Sequence, residues 1–263
     1  MKFDKEHWKE LDINVDSLWI MGPRAKGGKR ANVYHGNFAP QIPDQMIRRY
    51  TEEGGIVVDI FMGSGTTLYE CETLDRNFIG FAINQDIIDY VNGQMTEHKD
   101  TMKYFIHNCD VTDTPNVSKN IEADLKQLGK KAVDLVMMHP PYWDIIKFTD
   151  KPEDLSNISD FNEFINKFTD AVANFYKYLK VGKYMVLVVG DLYRDSEVVP
   201  LGFQMMNAIK SKFPCKLKGI VIKDMLGNRA KLGIESLWRY RALKSDNFLF
   251  KHEYIFVFKK TSK

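Results

Sequence analysis

Metal-ligand spacing is missing from this chain of 263 residues. Its three cysteines, Cys71, Cys109 and Cys215, stand far apart, with no Cys-x-x-Cys pair and no alternating Cys/His run. That excludes a disulfide framework and a zinc knuckle, and leaves three reduced core thiols as the expectation. Also absent is any apolar run near the ~20 residues that cross a bilayer. The opening Met1-Lys2-Phe3-Asp4-Lys5-Glu6-His7 has no apolar signal core either, so a cytoplasmic protein without membrane contact is expected. Charge of one sign is scarce: 37 Lys and Arg against 35 Asp and Glu leave a net +2. A polyanion-binding surface would therefore have to come from local clusters of Lys and Arg. There is no internal repeat and no low-complexity linker.

What the chain does have is enough apolar content, 44%, to bury a full core. From about residue 56, short β-rich runs alternate with helical stretches, which predicts parallel strands joined by helical crossovers. The expected strands are Ile56–Phe61, Phe78–Ala82, Tyr104–His107, Val133–Met138, Tyr184–Val189, Leu217–Ile222 and Tyr254–Phe258. Helices are expected over Thr66–Leu74, Asp86–Glu97 and Phe161–Leu179, the last carrying Phe161, Phe164, Ile165, Phe168, Val172 and Phe175 at helical spacing. The final strand, set apart by residues 225–252, is expected to return antiparallel. Residues 1–34 read as an extension carrying the basic loop Arg24-Ala25-Lys26-Gly27-Gly28-Lys29-Arg30, docked on a domain over residues 35–263. Pro43 is placed to open a short helix through Tyr50.

Two peptides carry chemistry. The first, Asp59-Ile60-Phe61-Met62-Gly63-Ser64-Gly65-Thr66, runs from the first strand into a helix. Its glycines fall at a strand's carboxyl end, where open α/β sheets bind ligands and a helix N-terminus offers free N–H groups. A nucleoside triphosphate fits poorly because the lysine of Gly-x-x-x-x-Gly-Lys-Ser/Thr is missing, and a dinucleotide fits poorly because the third glycine of Gly-x-Gly-x-x-Gly is absent. A purely structural strand-to-helix turn is the other reading. The second peptide, His139-Pro140-Pro141-Tyr142-Trp143, follows Leu135-Val136-Met137-Met138. Its two prolines stiffen the backbone around His139, while Tyr142 and Trp143 offer aromatic faces. That pairing suits stacking a nucleobase while holding its exocyclic amine. An ordinary Pro-Pro turn would read the same way from the peptide alone.

Together and in this order the two peptides resemble the D-P-F-x-G-S-G-T and D/N/S-P-P-Y/F/W motifs of the DNA amino-methyltransferases, which use S-adenosylmethionine to methylate cytosine N4 or adenine N6. His35-Gly36-Asn37-Phe38-Ala39-Pro40 resembles the element that family sets against the methionine end of the cofactor, and His252–Phe258 resembles its last strand. The resemblance implies a Rossmann-like class I methyltransferase: an α/β fold with a mostly parallel seven-stranded sheet, an antiparallel last strand and helices on both faces. It implies that Phe61, Gly63, Ser64, Gly65 and Thr66 line the methionine part of S-adenosylmethionine with His35 and Asn37, that Asp59 lies near its ammonium, and that Asp110 accepts from the adenine amine. It also implies that His139 and the Pro140 carbonyl, stiffened by Pro141, each accept a hydrogen from the target amine while Tyr142 stacks the extruded base.

Three positions depart from the family: Ile60 stands where the turn has proline, which changes only its stiffness, and two others bear on the chemistry. His139 stands where the family has Asp, Asn or Ser, and only its neutral form can accept; with an ordinary pKa near ~6.5, transfer is expected to weaken in mild acid. Ala82 stands where the family has an acid on the ribose hydroxyls, a loss of about 1.5–3 kcal/mol unless Asn84 or Asp86 takes over. Double-stranded DNA is the implied partner. Arg24, Lys26, Lys29 and Arg30 form one candidate contact cluster; Arg229, Lys231, Arg239 and Arg241 form another, with Trp143 either supporting the base or part of the core, though each cluster could equally be a solvated face. Compact segments near residues 144–158 and 225–250 are the candidate DNA-contacting parts, with a second copy of the chain or a specificity or nuclease subunit as further partners. Cytosine N4 is favoured over adenine N6. An RNA or other planar-amine methyltransferase, or a nucleic-acid-binding pseudoenzyme, is the alternative.

Overall fold

The computed structural model describes residues 6–30, 36–225 and 235–262. In chain order its strands are β1 (Leu18–Trp19), β2 (Ile56–Asp59), β3 (Asn77–Ala82), β4 (Tyr104–Asn108), β5 (Val133–Met138), β6 (Leu179–Val189), β7 (Leu192–Arg194), β8 (Glu197–Val199), β9 (Cys215–Asp224) and β10 (His252–Lys260). Its helices are α1 (Gln41–Tyr50), α2 (Thr66–Thr73), α3 (Gln85–Gln94), α4 (Thr114–Gln127), α5 (Phe161–Tyr176), α6 (Leu201–Lys212) and α7 (Glu235–Lys244).

Every residue of β2 and β5 is buried, the mark of strands covered on both faces. Their side chains alternate between two apolar cores. Ile56, Val58, Val136 and Met138 face α4, α5 and α6, whereas Val57, Leu135 and Met137 face α1, α2 and α3. Eight strands pair in the order β1-β9-β10-β6-β5-β2-β3-β4, parallel from β6 through β4, with β10 antiparallel to both β6 and β9. Helices on both faces and an antiparallel β10 are as expected. Local chemistry sets several helix starts: Asn84, Asp113 and Asp160 accept from backbone N–H groups in the first turns of α3, α4 and α5.

The sheet differs from the expected seven strands by one. β1 adds an eighth at the edge, parallel to β9, with Trp19 buried beneath it. A two-residue pairing leaves no periodic signal. The small β7–β8 hairpin escapes for the same reason. Helix α1 begins two residues before Pro43, and β6 already begins at Leu179, three residues past the end of α5, so the helical pattern overruns the helix. None of the described helices is long and apolar enough to cross a membrane.

Candidate active site

The two motifs meet because their strands are neighbours. Asp59 of β2 stands opposite Met137 of β5, and Ile60 donates its N–H to the Met137 carbonyl at 3.2 Å. The glycine turn and the proline corner therefore leave the same edge of the sheet side by side. Met62 N–H, bonded to the Phe81 carbonyl at 2.9 Å, ties the turn to β3 on its other flank.

Gly63 and Gly65 have φ of 51° and 83°, the left-handed region that glycine enters without a Cβ penalty. A Cβ on Gly65 would lie 3.1 Å from the Tyr69 ring and from Val91. The Tyr69 hydroxyl is buried there without a hydrogen-bond partner among the described residues. Gly65 caps α2, so the helix N-terminus opens onto the turn. Ser64 is buried, and its Oγ accepts from Asn37 Nδ2 at 2.5 Å. The next residue, Phe38, stands edge-on to His139 with ring centroids 4.9 Å apart. One short segment thus touches both motifs.

Asp59 is almost wholly buried, and its carboxylate accepts from two neutral donors, Phe61 N–H at 3.0 Å and Thr67 Oγ1 at 2.5 Å. Burial pushes its pKa up to about 6, tempered by those hydrogen bonds. No ion pair among the described residues reaches it, so the site has room electrostatically for a ligand's cation.

At the corner, burial pulls the His139 imidazole down to about 4. The ring is neutral at pH 7, as an acceptor must be. Tyr142 packs against Gly190, where a Cβ would come within 3.1 Å of its ring, and donates its hydroxyl to Glu253 Oε2 at 3.1 Å. Glu253 Oε1 in turn pairs with Lys223 Nζ at 2.9 Å. Burial and the Glu253 carboxylate hold the Tyr142 phenol well above its usual pKa. Motif reasoning does not reach Glu253 and Lys223. Their signal is an acid at the head of the buried run of β10, which demands a partner.

The loop after the corner packs back onto the segments beside both motifs. Phe148 lies against Gly36, a Cβ on which would be 3.4 Å from its ring, while Lys151 Nζ donates to the Ile83 carbonyl at 2.8 Å, next to Ala82. Asp154 organises the loop from within, accepting from Ser156 N–H and Oγ and from Thr149 Oγ1.

Several expected contact residues are engaged elsewhere. Trp143 is buried, with φ of 54°, its ring against Phe161 and beneath the Arg194 guanidinium at 4.5 Å, so it offers no free face to a base. A bulky residue in the left-handed region is an outlier that tight turns at sites impose. Lys29 pairs with Glu72 at 2.8 Å and Arg30 with the buried Glu70 at 2.5 Å, pinning the basic loop to α2 rather than presenting it to phosphate. Arg24 Nη1 donates to the Phe38 carbonyl at 2.5 Å; Lys26 is exposed. The Asn84 oxygen is spent capping α3, leaving its amide nitrogen for a ligand, and Asp110 holds Thr112 N–H at 2.8 Å and its hydroxyl at 2.9 Å. Arg239 and Arg241 are exposed on α7. His35, Arg229 and Lys231 lie outside the described residues.

The family model described as DNA methylase, for N6 and N4 methyltransferases, matches residues 1–93, which include the glycine turn. Type II methyltransferase M.MjaII of Methanocaldococcus jannaschii is 43% identical over 86 residues, 30% of this chain and 16% of that protein. Type II methyltransferase M.BglI of Bacillus subtilis is 29% identical over 131 residues, 48% of this chain and 36% of that protein. The matched stretches thus span well under half of those relatives. In fold, the chain is similar to TrmN from Thermus thermophilus (TM-score 0.53, 13% identity, 86% of this chain and 50% of that one) and to the [4+2]-cyclase SpnF (TM-score 0.54, 12% identity, 94% and 90%). With its glycine turn inside the matched residues and its proline corner on the neighbouring strand, the chain is similar to the DNA amino-methyltransferases over its first third.

Proposed function

We propose that this chain transfers a methyl group from S-adenosylmethionine to the exocyclic amine of a base in double-stranded DNA, cytosine N4 ahead of adenine N6. The observation that carries the reading is the bridging segment: Asn37 on Ser64 and Phe38 on His139 join the ligand turn and the amine corner into one crevice.

The residues present fit the cofactor. Asp59, a buried carboxylate with no cation paired to it among the described residues, suits its ammonium; the Gly63-Ser64-Gly65 cradle suits its methionine chain; the Asn84 amide and Asp110 stand just past the ends of β3 and β4 for the nucleoside part. S-adenosylmethionine supplies an electrophilic methyl. The protein's task is to free the amine's lone pair, which is otherwise delocalised into the base. Neutral His139 accepts one amine hydrogen and the Pro140 carbonyl another, so the nitrogen turns tetrahedral and presents its lone pair in line. Tyr142 packs against the base, which must leave the duplex to reach the corner. A covalent enzyme intermediate is not required. Cys71, Cys109 and Cys215 are buried and their thiols are pushed up, Cys109 to about 11, so none is a ready nucleophile.

Helix α7 is the favoured DNA surface, with Arg239, Arg241 and the exposed Tyr240 available for phosphate and stacking contacts. The names of the Type II relatives support a modification role within restriction–modification. A second reading, a nucleic-acid-binding pseudoenzyme, is favoured by Ala82 in place of the ribose acid. Calorimetry with S-adenosylmethionine separates them: saturable binding at one site per chain supports the enzyme, and absence of binding supports the pseudoenzyme.

A further inference from the structure

The side chains behind the corner form a line: Lys223 Nζ to Glu253 Oε1 at 2.9 Å, Glu253 Oε2 to the Tyr142 hydroxyl at 3.1 Å, and the Tyr142 hydroxyl to His139 Nε2 at 3.5 Å. Its far end is rigid. Glu253 and Lys223 are direct cross-strand partners in the β10–β9 ladder, both nearly buried, and β10 is held on its other side by β6.

Hydrogen counting along this line has one outcome. Glu253 pairs with an ammonium and is a carboxylate, which can only accept. Tyr142 has a single hydroxyl hydrogen and spends it on Glu253. Toward His139 the phenol oxygen can therefore only accept, so the 3.5 Å contact is a hydrogen bond when Nε2 carries the hydrogen. A neutral imidazole protonated on Nε2 has its lone pair on Nδ1.

We propose that Glu253 is a positioning residue that fixes His139 in the Nε2–H tautomer and so selects Nδ1 as the atom that accepts from the substrate amine. The consequence for catalysis rests on the methyl-transfer reading; the tautomer itself does not. Neither Glu253 nor Lys223 touches the amine, and their action reaches it only through Tyr142 and His139.

The line also dictates what a conservative change does. In Glu253→Gln, the Lys223 ammonium claims the one remaining oxygen and turns the amide NH2 toward Tyr142. The phenol then accepts from the amide, its hydrogen is released toward His139 Nε2, and the favoured tautomer becomes Nδ1–H.

The test is the imidazole ¹⁵N–¹H correlation spectrum of the labelled full chain near pH 7, without substrate, with the His139 ring assigned by its loss in His139→Gln. The parent protein is expected to show Nε2–H, Glu253→Gln to move His139 toward Nδ1–H, and Tyr142→Phe to weaken the preference if Glu253→Gln does not fold. In transfer assays Glu253→Gln is expected to lower kcat on the order of 10²-fold, the scale of misaligned reacting groups, with unchanged affinity for S-adenosylmethionine. Nδ1–H in the parent protein, or a tautomer that stays put in both variants, overturns the proposal. Because the spectrum needs no substrate, that result is distinct from a failure to methylate DNA.

Discussion

Asn37 Nδ2 donates to Ser64 Oγ over 2.5 Å, joining a segment between β1 and α1 to the buried centre of the glycine turn. Ser64 lies beside two residues in left-handed conformation, so the turn's shape depends on what holds its middle. Asn37→Ala removes the donor while leaving the turn's sequence intact. The expected result is a loss of about 1 kcal/mol in denaturant stability and up to about tenfold weaker binding of S-adenosylmethionine by calorimetry. Unchanged binding would show that this hydrogen bond does not shape the cofactor turn.

Asp59 and His139 give opposite pH signatures in overlapping windows. Asp59 is raised to about 6 from an ordinary value near ~3.9, so the folded state holds a proton that the unfolded state has lost, and stability falls as pH rises from about 4 to about 6. His139 is lowered to about 4 from ~6.5, so the unfolded state binds more protons there, and stability rises with pH between about 4 and about 6.5. Each span amounts to about 3 kcal/mol, and the two nearly offset. Asp59→Asn removes one arm. Its stability is expected to climb steeply with pH over that window and to exceed the parent's at pH 7, while its affinity for S-adenosylmethionine falls. In the parent, cofactor affinity is expected to rise from pH 5 to 7. At saturating cofactor and DNA the rate should stay flat across mild acid, since His139 titrates near 4 and not near its ordinary 6.5. A rate that halves near pH 6.5 under saturation would contradict this.

Ala82 ends β3 beside Ile83, whose carbonyl holds Lys151. Ala82→Asp restores an acid at the strand end where ribose hydroxyls are expected. Affinity for S-adenosylmethionine is predicted to tighten by about 1.5–3 kcal/mol, measured by calorimetry. Equal or weaker affinity would remove the ribose account.

Arg239 and Arg241 are exposed on α7, whereas Lys29 and Arg30 are spent on glutamates of α2. Arg239→Ala with Arg241→Ala should weaken DNA binding for all sequences and flatten the salt dependence, by about 0.9 in log–log slope for each phosphate left without its arginine. Equal slopes in variant and parent would move the DNA surface elsewhere.

The parallel order, both helical faces and the two motifs are legible in the sequence because each rests on local chemistry: the unbroken apolar run Ile56-Val57-Val58, glycines at Gly63 and Gly65, prolines at 140 and 141. What escapes depends on distant partners. The Tyr142–Glu253 hydrogen bond spans 111 residues, and nothing in either peptide alone names the other. Lys29 and Arg30 read as phosphate ligands because a charge run does not reveal the acids that will face it, here Glu72 and Glu70 from α2. Trp143 reads from sequence as either a stacking face or core, and only the fold shows that the turn throws its ring inward onto Phe161. The imidazole of His139 takes its ordinary pKa on the sequence alone because burial is a property of the assembled crevice.

The central claim is methyl transfer to a base amine at the His139-Pro140 corner. Its most direct test is incubation of the full chain with methyl-labelled S-adenosylmethionine and double-stranded DNA, followed by digestion and nucleoside analysis, alongside His139→Ala. The account predicts label in N4-methylcytosine, with N6-methyladenine as the other family product, and loss of label in His139→Ala with cofactor affinity retained. Label on cytosine C5, or undiminished N4 or N6 label in His139→Ala, would contradict it.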